Sequence, residues 1–144
     1  MCKRVASLNQ ADMLTEIFSD ETLQSQIVDL NQSQMYDQGI QADGSPTGDY
    51  APITISKYKP LAAMETGDPR SGRSDHITGF NTGETYASMK AQPVSGGLII
   101  TADDRNNFFD REPEGLGLTE ESLDEIIPEI NERLIEMVDA EIYL

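Results

Sequence analysis

The large apolar side chains in the first quarter of the chain recur with the period of an amphipathic helix; they are Leu14, Phe18, Leu23, Ile27 and Leu30. This spacing predicts a long N-terminal helix over residues 9–38, and Gly39 is its expected stop. Asp20 and Glu21 suit the start of a second helix. A break near Phe18–Asp20, with two shorter helices, is therefore the alternative.

Residues 39–73 show no helical period and are rich in Gly, Pro, Asp, Ser and Thr. Turn chemistry occurs at Asp43-Gly44 and at residues 46–48. Ile53–Tyr58 alternates apolar and polar positions, which predicts a short extended strand. The remainder predicts an exposed loop or arm over about residues 40–75, and loops of this length are uncommon unless they are functional or ordered by a partner.

The strongest strand pattern lies in residues 82–102. Tyr86–Val94 and Leu98–Ala102 predict two antiparallel strands, and Ser95-Gly96-Gly97 between them predicts a tight turn. A short helix over 82–88 is the alternative for the beginning of this segment. A polar loop over residues 103–117 is expected to follow.

Residues 117–142 predict helix, with an apolar stripe at Leu123, Ile127, Ile130, Leu134 and Met137. Thr119 is a suitable N-cap, and the two glutamates after it suit the positive end of the helix dipole. Pro128 cannot donate to the carbonyl four residues earlier. We therefore expect a break or kink at Ile126–Ile127.

Together these patterns predict an α+β fold in a single domain spanning residues 1–144. The expected elements are a long N-terminal helix, a small antiparallel sheet with long loops and an arm, and C-terminal helices. A chain of 144 residues with 38% hydrophobic side chains is long enough for one core of modest size.

The charge is strongly acidic and unevenly distributed, with 26 acidic and 10 basic residues and a net charge of -16. Residues 1–56 carry eight acidic and two basic side chains, 57–90 four acidic and five basic, and 91–144 fourteen acidic and three basic. Such a chain repels nucleic acid phosphates and anionic lipid, which argues against DNA binding in a groove. A near-neutral middle between acidic ends suits head-to-tail packing of copies, and a merely solvated acidic surface is the alternative.

The single cysteine, Cys2, excludes an internal disulfide, so no oxidising compartment is indicated. No apolar stretch approaches the length of a membrane span. The first residues, MCKRVASLNQADML, lack the apolar core of a signal peptide. We therefore expect a protein that remains in the cytoplasm of the cell that makes it, with no membrane partner.

Candidate catalytic chemistry is scarce. His76 is the only histidine and follows Asp75, but adjacent residues rarely build a catalytic triad, because the acid must reach the far ring nitrogen. A loop histidine that hydrogen-bonds the backbone is the favoured interpretation. One Cys and one His cannot fill a tetrahedral zinc site. We therefore predict no catalytic residues, no cofactor and no metal site.

One cluster of carboxylate and amide side chains keeps a second interpretation open; it comprises Asp103, Asp104, Asn106, Asn107, Asp110, Glu112 and Glu114. A calcium loop of the EF-hand type needs glycine at its sixth position, where this segment has Phe108. The match therefore fails. An irregular cation site and a solvated loop remain as the alternatives.

Residues 75–102 read DHITGFNTGETYASMKAQPVSGGLIITA, with the core Asn81 to Ser88 followed by a hairpin pattern. This segment resembles the Asp-Thr-Gly pattern, with a later aromatic residue and Ser, of the small neck and tail-completion proteins of tailed bacteriophages. Residues 36–59 and 117–126 resemble virion proteins of Bacteroides-type and crAss-like phages. Asn81 stands where Asp is usual, and Asn keeps the side chain that forms the turn.

The resemblance implies a structural subunit of a virion, in a homo-oligomeric ring at the head–tail junction (neck, connector, or tail completion or terminator). Its partners would be copies of itself and neighbouring portal, neck and tail proteins, and DNA would pass through the channel without specific binding. The residues predicted for the subunit interface are Arg70, Arg73, Thr82, Gly83, Tyr86, Phe108 and Phe109. The two arginines would meet the acidic C-terminal region of the next copy.

Two other functions remain as alternatives. An acidic, phage-encoded binding or regulatory protein would capture a basic host protein by imitating DNA, and its complex would be sensitive to salt. A hydrolase would use clustered carboxylates, with Asp103 or Asp104 as the essential residue. We expect no enzymatic activity, and the virion subunit is the favoured prediction.

Overall fold

The computed structural model describes residues 10–80, 82–94, 97–103, 109 and 115–143. Within these ranges the protein has five α-helices and one two-stranded antiparallel sheet, which confirms the predicted α+β class. No helix in this part of the chain is both long enough and apolar enough to cross a membrane.

The N-terminal region folds as two helices, α1 (Gln10–Phe18) and α2 (Glu21–Ser33). The single long helix is therefore not confirmed, and the chain breaks at the alternative position. The physical reason is Asp20, which has extended backbone geometry and whose side chain accepts hydrogen bonds from the N–H groups of Thr22 and Leu23. These bonds satisfy the N–H groups that the first turn of a helix leaves unpaired. They therefore favour a new helix at Glu21 over the extension of α1.

A π-helical turn, Gln34–Gln38, follows α2 and ends at Gly39, which confirms the predicted stop. Gly39 has the left-handed backbone angle φ of 65°, and its N–H bonds the Gln34 carbonyl. The chain then makes one antiparallel bridge between Ile40 and Pro46.

The predicted strand at Ile53–Tyr58 is wrong, and helical elements interrupt the loop that was predicted over residues 40–75. Thr54–Tyr58 is a π-helical turn that runs into α3 (Lys59–Thr66), and a 3-10 turn follows at Pro69–Gly72. Pro60 occupies the first turn of α3, where its missing N–H costs nothing, and Gly67 ends the helix with a φ of 69°. The alternation over 53–58 was too short to distinguish a strand from the first turn of a helix.

The central β element is a hairpin of β1 (Lys90–Val94) and β2 (Gly97–Thr101), with Ala91 opposite Ile100. The hairpin itself confirms the prediction, whereas a strand beginning at Tyr86 is wrong. Glu84–Ser88 is instead the short helix α4, which was the alternative. Two residues of the predicted turn, Ser95 and Gly96, lie outside the described residues.

The C-terminal region is one helix, α5 (Glu120–Tyr143), which continues through Pro128. The helix is therefore not broken at Ile126–Ile127, where a break or kink was predicted, and residues 115–143 hold one helix and not two. Pro128 is exposed, and the apolar residues on either side, Ile126 and Ile130, pack against the same core. This shared packing outweighs the loss of one helical hydrogen bond. The Thr119 hydroxyl accepts a bond from the Ser122 N–H at 3.2 Å, which confirms the predicted cap.

The core consists of two apolar clusters joined along α2. The first contains Ile17, Leu23, Ile27, Ala91 and Ile126, and the second contains Met35, Phe80, Tyr86 and Met89. Val28 and Ile100 pack against both clusters. Helix α5 runs antiparallel to α2, because Thr119 bonds Gln34 at one end and Arg133 bonds Asp20 at the other.

Candidate interaction surfaces around Phe80 and on the C-terminal helix

Three of the seven residues predicted for a subunit interface, Arg70, Gly83 and Tyr86, meet at Phe80, which the sequence did not single out. Phe80 is buried, and its ring makes edge-to-face contacts with two tyrosines. The centroid of Tyr86 lies 5.1 Å away and that of Tyr36 lies 6.0 Å away. Such pairs add stabilisation beyond the burial of their area, so this aromatic group anchors the second core cluster.

Arg70 and Arg73 cover this aromatic group from outside. The guanidinium of Arg70 lies 4.7 Å from the Phe80 centroid, and that of Arg73 lies 4.9 Å from the Tyr36 centroid. These are cation–π distances. The arginines that were predicted to extend on a free arm are therefore held against the folded domain.

Each of these arginines is also paired with a nearby aspartate. Arg70 donates to the Asp68 carboxylate at 2.8 Å, and Arg73 donates to Asp75 at 2.8 Å. The hydrogen bond from Arg73 lowers the pKa of Asp75 to about 2. The Arg70 side chain is 61% exposed and that of Arg73 is 32% exposed, so both charges remain partly accessible.

Thr82, Gly83 and Phe109 have structural roles in the described chain. The Thr82 hydroxyl accepts a bond from the Glu84 N–H at 3.3 Å, at the start of α4. Gly83 has a φ of 88°, and a Cβ atom there would lie 3.0 Å from the Phe80 ring. Phe109 packs partly buried against the second cluster. Phe108, the remaining predicted interface residue, lies outside the described residues.

Sequence reasoning missed a buried polar group beneath Phe80. The ammonium of Lys59 donates to the Phe80 carbonyl at 2.7 Å and lies 4.8 Å from the Tyr50 ring. The Tyr86 hydroxyl donates to the Thr78 carbonyl, and burial raises the pKa of Tyr86. The one sign of this group in the sequence was the number of aromatic and basic residues between positions 36 and 86. A local pattern does not show that such distant residues come together.

His76 confirms the interpretation of a loop histidine that bonds the backbone. Its Nε2 lies 2.7 Å from the Tyr36 carbonyl oxygen and 3.1 Å from that of Met35. A carbonyl only accepts, so Nε2 carries a proton and cannot serve as a base. The other ring nitrogen lies 3.3 Å from the Asp75 carboxylate. His76 therefore holds its loop against the π-helical turn that follows α2.

The carboxylate cluster at 103–114 lies mostly outside the described residues. Of its acidic members only Asp103 is described, and its N–H donates to the Ser88 hydroxyl at 2.8 Å. Among the residues that the structure describes, no group of three or more His, Cys, Asp or Glu side chains is placed to hold a metal. The irregular cation site and the carboxylate hydrolase stay predictions.

Helix α5 forms a second candidate surface, because its negative charge is concentrated and exposed. Its sequence holds nine acidic residues and one basic residue, Arg133. Arg133 is turned inward, where it bonds Asp20 and, at 2.9 Å, Glu129. The bond from Arg133 lowers the pKa of Asp20. Every other described carboxylate of α5 is exposed, so the helix presents a largely unneutralised acidic face.

Compared with protein-family models, with curated proteins and with solved structures, the chain matches none.

Proposed function

We propose that this chain is a structural subunit of a tailed-phage virion, in a homo-oligomeric ring around the DNA channel at the head–tail junction. The observation that carries the proposal is the acidic face of α5. DNA has to pass through such a channel without being retained. A wall of exposed carboxylates repels its phosphates.

The segment that resembles neck and tail-completion proteins supports the same proposal. In those proteins the Thr-Gly pattern leads into paired strands. Here Thr82 and Gly83 precede the short helix α4, and the hairpin β1–β2 follows directly. A short helix thus stands between the Thr-Gly turn and the paired strands, and the hairpin after it is the part that agrees with the pattern. Within the proposed ring, the chain is a neck, connector, or tail-completion or terminator subunit.

The proposal is tested on purified particles and on the purified chain. We expect mass spectrometry of the particles to find the chain at a constant multiple-copy ratio to the portal protein. Electron microscopy of the purified chain should show rings. Absence of the chain from the particles, together with absence of rings from the purified protein, would contradict the proposal.

The same acidic face also favours a second candidate, a phage-encoded protein that imitates DNA and binds a basic host protein. This candidate predicts a complex that dissociates as salt screens the charges, and no copies in the particle. Glu132→Gln, Glu136→Gln and Asp139→Asn together should weaken such a complex strongly. In the virion proposal the same changes leave the ring assembled, because the carboxylates face DNA rather than a neighbouring subunit.

A further inference from the structure

The face formed by residues 53–64 leaves large apolar side chains uncovered. The exposed side chains are Ile53, Ile55, Tyr58, Leu61 and Met64, with exposures between 42% and 81%. In this stretch only Lys59 and Ala62 are buried, and they attach it to the domain beneath. No acidic residue occurs from Tyr50 to Met64, although the chain as a whole is strongly acidic. We call this surface the 53–64 face.

Helix α5 carries a second uncovered apolar surface, formed by Leu123, Ile127 and Ile135. With about 100° between successive helical residues, Ile127 and Ile135 lie beside the stripe that packs on the core, and Leu123 lies at the exposed first turn of that stripe. Most of the exposed carboxylates lie on the opposite side of the helix. Glu120 and Asp124 lie among the apolar residues, and Asp139 borders Ile135 on the side of the other carboxylates. We call this surface the α5 flank.

The two surfaces are complementary and cannot cover each other within one chain. Each is exposed in the folded protein, which excludes an intramolecular contact between them. The 53–64 face is tied through Lys59 to Phe80 in the second core cluster, whereas α5 packs on the first cluster. Exposed apolar patches of this kind mark interaction sites.

We propose that the 53–64 face of one copy packs on the α5 flank of the next copy, head to tail. Apolar side chains meet apolar side chains, and exposed Lys57 meets Glu120 and Asp124. Two different patches make a contact that repeats from copy to copy and closes into a ring when the rotation allows it. The inference rests on the proposed ring, and it identifies the surfaces that join the subunits.

This contact assigns the positive charge to Lys57 instead of Arg70 and Arg73. Both arginines are already hydrogen-bonded to aspartates of their own chain. The opposite side of α5, with most of its carboxylates, stays free to face the DNA channel. One helix therefore supplies a subunit contact along one side and the repelling wall along the other.

The experiment measures the mass of the purified chain by light scattering over a range of concentrations. One variant combines Leu61→Gln with Met64→Gln, and another combines Ile127→Gln with Ile135→Gln. The matched control, Val94→Gln with Ile99→Gln, changes two exposed apolar side chains of the hairpin. Far-UV circular dichroism verifies that each variant is folded.

We expect the wild type and the control to assemble alike. Each face variant alone should need a concentration about tenfold higher or more for assembly. An equimolar mixture of the two face variants should give dimers and nothing larger, because each mixed pair retains one intact 53–64 face and one intact α5 flank. Lys57→Glu should also weaken assembly, and adding Asp124→Lys should restore it.

Assembly of either face variant at the wild-type concentration would overturn the inference, and so would a wild type that stays monomeric throughout. Loss of assembly in the Leu61/Met64 variant alone would also overturn it, in favour of a symmetric dimer through the 53–64 face. Rings that persist in both face variants would refute this contact and leave the ring proposal standing. Particles that lack the chain would refute the ring proposal itself.

Discussion

Asn31 and Gln34 lie one helical turn apart, both fully buried, and together they hold the segment that leads into α5. The Asn31 amide donates to the Gly115 carbonyl at 2.8 Å and accepts from the Gly117 N–H at 2.9 Å. The Gln34 amide donates to the Gly117 carbonyl and accepts from the Thr119 N–H, both at 2.9 Å. Two side chains thus satisfy four backbone groups and fix where α5 begins.

Gln34→Met removes both of these bonds while keeping a side chain of similar size. The Gly117 carbonyl and the Thr119 N–H lose their partners in a largely buried place. We expect the free energy of unfolding to fall by about 2 kcal/mol, measured by urea denaturation. Gln26→Met, at an exposed position of α2, is the matched control and should leave stability nearly unchanged. Equal losses of stability at both positions would show that the two hydrogen bonds of Gln34 do not stabilise the fold.

Gly39→Ala tests the close contact between His76 and Gly39, the residue that ends the π-helical turn after α2. A Cβ atom at Gly39 would lie 2.6 Å from Cγ of His76, and the φ of 65° is unfavourable for alanine. We expect a loss of about 2 kcal/mol or more in thermal or urea unfolding.

Gly67→Ala is the matched control for Gly39→Ala. Gly67 has a similar φ of 69°, but a Cβ atom there meets nothing within 4 Å. Gly67→Ala should lower the free energy of unfolding by only about 1 kcal/mol, which is the cost of the left-handed backbone angle alone. When His76 is also replaced by alanine, Gly39→Ala should lower the free energy of unfolding by the same small amount as Gly67→Ala. If it does not, the ring of His76 is not the obstacle.

Pro128→Ala tests why α5 continues through a proline. Pro128 is exposed, so alanine loses no packing, and its N–H can bond the Asp124 carbonyl. We expect stability to rise by about 1–2 kcal/mol, because the restored hydrogen bond and better helix propensity exceed the greater freedom of the unfolded chain. Chemical denaturation measures the change. A loss of stability would mean that the chain needs the proline geometry.

Asp75 predicts a pH dependence of stability at low pH. The hydrogen bond from Arg73 holds its pKa at about 2, below its ordinary value of 3.8. A lowered pKa in the folded state stabilises the protein above pH 3.8, and this contribution disappears as the pH falls towards about 2. Asp75→Asn should therefore be less stable than the wild type at neutral pH, and the difference should vanish near pH 2.

Urea denaturation at a series of pH values measures this dependence. Asp124→Asn removes the same charge from α5 and controls for the general effect of net charge. A gap between wild type and Asp75→Asn that persists unchanged at the lowest pH would contradict the assigned role of the Arg73 bond.

The candidate site shows how far local patterns reach. Thr82 and Gly83 were recognised from the turn that they form, and Tyr86 from its place before the hairpin. Phe80 was missed, because nothing in its neighbourhood along the chain shows that Tyr36 and Arg70 will reach it. Arg70 and Arg73 were recognised as basic residues but wrongly placed on a free arm. Their aromatic partners, Phe80 and Tyr36, are separated from them along the chain by turns and loops, so no local pattern connects them.

The sequence by itself determined the features that depend on neighbouring residues: the α+β class, the cap at Thr119, the stop at Gly39 and the hairpin. Caps, turns and strand alternation arise from contacts across a few positions, which a pattern contains. Only the tertiary structure decided that α5 continues through Pro128 and that Lys59–Thr66 is a helix. Each depends on what the rest of the chain provides, a core that holds both halves of α5 and a carbonyl at Phe80 for Lys59.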